Sequence, residues 1–505
     1  MKRIQLFLLL SLAFSVSLFA QKKKERIELK HGSHHMGKRN DAAMNHWRDY
    51  GLGQFIHWGV YAIPGGYWEG RKTNSAAEWI RSWKEKGQDG QSRSPIFNGK
   101  PFTEIYDNFY KQFNPKDFDA KVWAKMAKQM GAKYMIFTTK HHDGFCMWPS
   151  KYTNYTIANT PYKKDIMKEI IDTYNAEGID IVLYFSIIDW HHPDYQGAAP
   201  KTDKDKARYE NFKAFTRNQL IELVTNYPTV KGLWFDGTWD RAWVNEAEWA
   251  DNLATELRAL VPELVIGSRF RADEYGKRHR DSNGDIIDDY YQYWERKLPT
   301  KYEMVKDYDW EAVMTILPNN WGYIKDWSGM YQKTTDDLIE MMVRTVAFDG
   351  NFVLNFGPDG NGDFRPEEKV LASEIGDWIN INSEAIYNTR HADLEKQGWG
   401  YYTQNGDKLY LIVFNRPVNN KVRIAIPLRS KLKPLKANLM ATKQPIDLQR
   451  TALGLDRDVD NPENNYAFYD VVVPADFTTN QPFVITLETE GAAVKADETI
   501  QKAYQ

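Results

Sequence analysis

Eight short apolar runs constrain this chain more than any other feature of it. They span residues 53–57, 134–138, 179–186, 232–236, 264–269, 289–293, 312–316 and 352–355. Several are apolar throughout instead of alternating with polar residues, the pattern of strands buried on both faces. Segments of helical periodicity lie between them at 118–130, 165–177, 205–226, 246–260 and 336–348. Such alternation over a few hundred residues predicts an α/β fold, a (β/α)8-like barrel. A stretch rich in Gly, Ser and aromatic residues, 65–114, interrupts it after the first strand and is expected at the barrel mouth. After Tyr387 the runs shorten, at 401–403, 408–414, 422–426, 437–440, 466–473 and 483–488, with Asn405-Gly406 as a tight-turn signal. This predicts a C-terminal antiparallel β-sandwich. The expected domains are a catalytic barrel over 45–390, a sandwich over 391–492 and a polar tail over 493–505.

The N-terminal residues 1–20 read as a signal peptide: Lys2 and Arg3, an apolar run over 6–19, then Ala20 before a polar stretch. The run is short for a membrane span. No Cys follows it, so a lipid anchor is not expected and the mature chain is expected to be secreted or periplasmic. The polar segment 21–44 follows; its part up to Arg39 is expected to be loose, with His31, His34 and His35 solvated.

Composition removes other classes. The 66 basic and 68 acidic residues leave a net charge of −2, without the basic excess of a nucleic-acid binder. A single cysteine rules out a disulfide scaffold and Cys-based metal sites. That residue, Cys146, lies between Phe145 and Met147-Trp148 and reads as a buried, inert thiol. Aromatic residues make up 14% of the chain, which suits a sugar ligand but also a large core. Net charge says nothing of oligomeric state.

Chemistry in such barrels stands at the C-terminal ends of the strands. There the chain carries His57, His141-His142, Asp236, Arg269 and Glu295, with Asp189 and His191-His192 behind the third strand. Asp236 is the sharpest candidate, an acidic residue closing an apolar strand just before Gly237. It fits a nucleophile, a base or a metal ligand, and equally a helix cap. Glu295 is a second carboxylate, by itself as typical of a surface. Two carboxylates about 5 Å apart would serve retaining glycoside hydrolysis. The five histidines allow a rival metal-hydrolase reading. Against it, adjacent residues on a strand point to opposite faces, so His141 and His142 chelate together only if the strand has ended. No phosphate-binding or dinucleotide motif is present. No cofactor and no metal are therefore expected.

In order along the chain stand Phe55-Ile56-His57-Trp58-Gly59, Glu78-Trp79, Lys140-His141-His142-Asp143-Gly144-Phe145, Trp234-Phe235-Asp236-Gly237, Trp310-Glu311, Trp321-Gly322-Tyr323, Asn351, Gly357-Pro358 and Glu384-Ala385-Ile386-Tyr387. Together these resemble the α-L-fucosidases of glycoside hydrolase family 29, in a secreted bacterial-type member, from about Trp47 to Arg390. The resemblance implies a barrel followed by a β-sandwich, a retaining exo-glycosidase and no metal. It implies Asp236 as nucleophile and His57, His141 and His142 as hydrogen-bond donors to the sugar. Glu78 and Trp79 would clamp its rim, and Tyr184, Trp234 and Arg269 would complete the pocket. Many members carry the acid/base in a Thr-Pro-Glu stretch. Here Tyr293-Trp294-Glu295 stands in that region, so Glu295 is taken for the role ahead of Glu311 or a Glu of the first loop. The expected partner is an oligosaccharide or polysaccharide, and the expected product terminal α-L-fucose. An α-L-galactosidase is the alternative, with the basic residues of the first loop meeting sulfated galactans. A sugar-binding protein without turnover is a more remote one.

Overall fold

The computed structural model describes residues 39, 41–237, 239–240, 242–243, 246–270, 289–428, 430–451 and 466–491. The expected signal peptide and polar tail lie outside them. All eight barrel strands form: β1 (Leu52–Ile56), β2 (Tyr134–Lys140), β3 (Asp180–Ser186), β4 (Gly232–Asp236), β5 (Val265–Ile266), β6 (Tyr291–Gln292), β7 (Trp310–Thr315) and β8 (Gly350–Phe356). They run side by side in the order β5-β4-β3-β2-β1-β8-β7-β6, each ladder parallel. One parallel bridge, Gly267 to Tyr290, closes the ring. It is backed by backbone hydrogen bonds from Ser268 to Tyr290 (3.0 Å) and from Asp289 to Ile266 (2.9 Å).

The unbroken apolar runs are explained by the two cores they serve. One set of side chains, including Phe55, Ile136, Tyr184, Trp234 and Val313, fills the barrel interior. The other faces the helices. These are α1 (Ala42–Arg48), α2 (Ala120–Met130), α3 (Ile166–Ala176), α4 (Asp203–Asn226), α5 (Ala247–Leu260), α6 (Thr335–Ala347) and α7 (Pro366–Asn382). Asp119, Asp165, Thr202 and Thr334 cap the N-termini of four of them. Only a three-residue 3-10 turn, Tyr302–Met304, separates β6 from β7, so the βα alternation lapses there.

Two elements depart from expectation at the N-terminal end of the barrel. Helix α1 begins within the polar segment 21–44, three residues past the part expected to be loose, and its Met44 and Trp47 plug the interior from below. Arg39, expected to be loose, donates to Asp289 Oδ2 at 2.8 Å. That buried oxygen also takes Arg258 Nη2 at 2.6 Å and the Ile266 amide at 2.9 Å. One carboxylate thus ties the N-terminal segment, α5 and the closing seam together.

The C-terminal region forms β9 (Arg390–His391), β10 (Gly400–Asn405), β11 (Lys408–Val413), β12 (Lys421–Pro427), β13 (Lys433–Leu439), β14 (Pro445–Thr451), β15 (Tyr466–Val472) and β16 (Phe483–Glu490). Strand β14 starts on β13 and continues on β15, which joins the two antiparallel layers. Their inner faces share a core of Leu409, Leu411, Val422, Ile424, Val471 and Ile485. Tyr401, Ile412 and Val484 face the barrel's own helix layer. Trp378 Nε1 of α7 donates to Pro482 O at 2.7 Å, which fastens the layers to the barrel. No described helix is long and apolar enough to cross a membrane.

Candidate active site

The C-terminal ends of the strands converge on Asp236, the last residue of β4. Tyr184 of β3 donates its hydroxyl to Asp236 Oδ2 at 2.8 Å. Gly237, at φ +85°, turns the chain sharply and returns its own amide to Asp236 Oδ1 at 2.9 Å. Arg269, just beyond β5, donates Nη1 to Asp236 Oδ1 at 3.1 Å and the same nitrogen to Glu295 Oε1 at 2.5 Å. Two such bonds to one atom hold the nearest carboxylate oxygens well inside the roughly 6.5 Å at which an inverting spacing begins. The seam beneath is locked by Gln292, whose Oε1 accepts from the Arg269 amide and whose Nε2 donates to Phe235 O, both at 3.1 Å. Gly267 makes room for it: a Cβ there would stand 2.3 Å from Gln292 Oε1.

Burial, and after it the Glu295 carboxylate, push Asp236 up to about 6. Burial acts the same way on Glu295, but Arg269, through its charge and its hydrogen bond, and then Arg296 hold that carboxyl below the usual range. The two titrate as a pair around one guanidinium.

Three histidines face the pair. His57 Nδ1 lies 2.6 Å from Asn355 Oδ1, and the amide of Asn355 donates onward to Trp321 O at 2.7 Å. His142 Nδ1 lies 2.6 Å from Ser186 Oγ, which donates to Ile188 O at 2.8 Å. Asn355 Oδ1 is an amide acceptor, so the His57 proton sits on Nδ1 and Nε2 presents a lone pair. The Ser186 hydroxyl can both donate and accept, and His142 Nε2 lies 3.6 Å from Asp236 Oδ2. Burial pushes both rings down to about 3, which keeps them neutral. His141 is also buried, with Nδ1 unpartnered, and burial lowers it well below the usual value.

Glu78 comes from the long insertion, in the 3-10 segment Ala77–Ser82. Its Oε2 accepts from the amides of Gly322 (3.1 Å) and Trp321 (3.3 Å), while Oε1 is buried without a partner. Burial pushes it up to about 7. Trp79 stands edge-on to His142 at 5.1 Å, beside Trp190 at 5.3 Å and Trp239 at 6.4 Å. Trp190, Trp239, Trp321, Asn355 and Ser186 are site residues that strand-end reading did not single out. The first two lie in loops with no periodicity, and the last two act through histidines.

Other expectations change. Trp234 is only 2% exposed, donates Nε1 to Glu311 Oε1 at 2.8 Å and stacks on Tyr184. The Arg269 guanidinium lies over its ring, 5.0 Å from the centre. Glu311 is sealed with it and takes Tyr134 OH at 2.7 Å, so it has no route to a leaving group. His191 stacks on Tyr155 at 4.0 Å and His192 on Phe215 at 4.3 Å, away from the pair. In the first loop Arg71 pairs with Glu85, and Arg93 with Asp89, so these cations are already neutralised. Strand β2 has ended at Lys140, and His141, His142 and Asp236 bring ligand-type atoms within 4.8 Å of one another. The same carboxylate carries Arg269, a resident cation that a metal would have to displace.

A closed parallel barrel with two carboxylates on one arginine at its mouth, backed by neutral histidines and ringed with tryptophan, defines a glycosidase. Residues 18–384 match the family model described as Alpha-L-fucosidase, and the chain belongs to that family. It is 30% identical to the tissue alpha-L-fucosidase of Homo sapiens over 75% of this chain and 77% of that one. Among solved structures, it is similar to an alpha-L-fucosidase of Bacteroides thetaiotaomicron, with 45% identity, a TM-score of 0.82 and coverage of 92% and 99%. An alpha-L-fucosidase of Paenibacillus thiaminolyticus aligns at 31% identity with a TM-score of 0.71, covering 89% and 99%. The chain is thus an enzyme, and the reading as a sugar-binding protein without turnover falls.

Proposed function

We propose that this protein is a retaining exo-α-L-fucosidase in which Asp236 is the nucleophile and Glu295 the acid/base. The observation that carries this is the single Arg269 nitrogen bonded to both carboxylates, a spacing that leaves no room for a separate attacking water. A trapped covalent intermediate with 2-fluoro-fucosyl fluoride, described for a relative 45% identical to this chain, supports the same chemistry.

Asp236 attacks the anomeric carbon while Glu295 gives its proton to the departing oxygen; water activated by Glu295 then releases the sugar with net retention. Glu295 must hold a proton for the first step, and in the free protein Arg269 opposes that. Substrate binding has to draw Arg269 off Glu295 and leave it on Asp236. His57 accepts from a ring hydroxyl, His142 and Glu78 hold others, and Trp79 and Trp321 wall the apolar side. No feature of the pocket favours an L-galactoside. The segment 1–20 supports export to the periplasm or beyond, which N-terminal sequencing of the mature chain tests.

The roles separate with azide. Asp236→Gly, with an activated aryl α-L-fucoside, is expected to yield β-L-fucosyl azide. Glu295→Gly is expected to yield the α-azide. A β-product from the Glu295 variant would reverse the assignment. Rescue of neither would remove both residues from these roles.

A further inference from the structure

We propose that Arg296 forms the recognition point of the leaving-group subsite and selects fucosides whose aglycone carries an anionic group, a carboxylate or a sulfate. This rests on the reading of Glu295 as proton donor, because the aglycone must lie on the donor's side of the scissile bond.

Arg296 follows Glu295 directly, at φ +58°. A non-glycine residue in the left-handed region is strained, and such strain persists only where surrounding contacts impose it. Here its amide donates to Val313 O at 3.0 Å. That turn lays the guanidinium against Trp321, 5.7 Å from the ring centre, with Nη1 3.9 Å from Glu295 Oε2. Arg269 is 3% exposed and committed to two carboxylates, whereas the Arg296 side chain is 33% exposed. Among the described residues its guanidinium makes no hydrogen bond at all. A planar fork of donors, stacked on an aromatic wall and open to solvent, is the arrangement that takes an oxyanion in two-point contact.

The surroundings reinforce the sign. Lys333 stands nearby, anchored on Thr315 O at 2.7 Å, and Lys297 covers the exposed ring of Trp294 at 5.6 Å. Of the nearby acids, Glu295 is bonded to Arg269, and Asp337 accepts from Tyr331 and the Thr334 amide. Among the described residues, Arg296, Lys297 and Lys333 thus place three cations on the donor's side of the mouth.

Three aryl fucosides test this: 4-carboxyphenyl, 4-sulfatophenyl and the neutral 4-(methoxycarbonyl)phenyl α-L-fucoside. The readout is the ratio of kcat/KM, anionic over neutral, in wild type, Arg296→Met and Arg296→Lys. The ratio cancels any change that Arg296 makes in Glu295 itself. We expect it to fall about tenfold in Arg296→Met, to recover in part in Arg296→Lys, and to shrink with salt in the wild type. A drop confined to one anion identifies carboxylate or sulfate as the group read. An unchanged ratio in Arg296→Met overturns the proposal while turnover of the neutral ester keeps the fucosidase reading intact. Wild-type turnover of none of the three removes both.

Discussion

Arg269 gives two carboxylates one shared counter-ion, and the pH dependence of the enzyme follows from that. The reactive form holds one proton on the pair. Asp236 is raised to about 6 by burial and its neighbour, so the pair loses that proton as pH rises through about 6. On the acid side a second proton is added below the ordinary glutamate range, because Glu295 is held down. kcat/KM is therefore expected to follow a bell whose alkaline limb lies near pH 6; a plateau extending to pH 8 would contradict it. His57 is held neutral by burial next to the amide of Asn355. Asn355→Asp places a carboxylate there and should raise the ring's pKa, visible by NMR as a histidine titrating several units higher, with KM rising more than kcat falls. Asp236 and the three histidines were legible because each stands where an apolar strand ends, whereas Glu295, by itself as typical of a surface, was picked out by the family resemblance. The bond between Arg269 and Glu295 was not, since it joins residues from two strands through side-chain reach alone. Nor was the direction of the His57 hydrogen bond, which Asn355 decides.

At the level of elements, the seam between β5 and β6 is the thinnest ladder of the ring, two residues in each strand. Asp289 compensates with three donors on one oxygen. Asp289→Asn leaves Arg258 without its counter-charge and Arg39 with Asp41 alone, and breaking a buried pair in this way costs about 3–5 kcal/mol. Denaturant unfolding should show that loss, with aryl-fucoside turnover retained at low temperature. Strand periodicity revealed the eight runs because burial on both faces leaves no polar residue within them. Helix α7 escaped because its buried stripe includes the polar Glu368 and Asn382, while the apolar Val370 and Ile381 stand exposed off it. Strand β14 escaped because it starts at Pro445 and its outer positions are polar and exposed.

The whole molecule joins its two domains through apolar contacts as well as hydrogen bonds. Trp378 enters the sandwich, and Tyr401, Ile412 and Val484 complete the barrel's helix layer. Calorimetry is accordingly expected to give a single cooperative transition. Truncation before residue 391 should give an insoluble chain and not an independent barrel; two resolved transitions would show the domains to be autonomous. Exhaustive dialysis against a chelator is expected to leave aryl-fucoside turnover unchanged, because Arg269 already neutralises the one carboxylate among the three converging ligand atoms. The change of pattern after Tyr387 announced the second domain, but its attachment was not legible, since it depends on which faces of α7 and β11 meet.

The thin seam also bears on descent. Asp236 closes a five-residue strand paired along its whole length to β3, so its place is set by many bonds at once. Glu295 lies three residues past a strand of only two, so few ladder bonds set its place. A lineage built on this barrel can therefore relocate one half of its chemistry and try new leaving groups without rebuilding the other half.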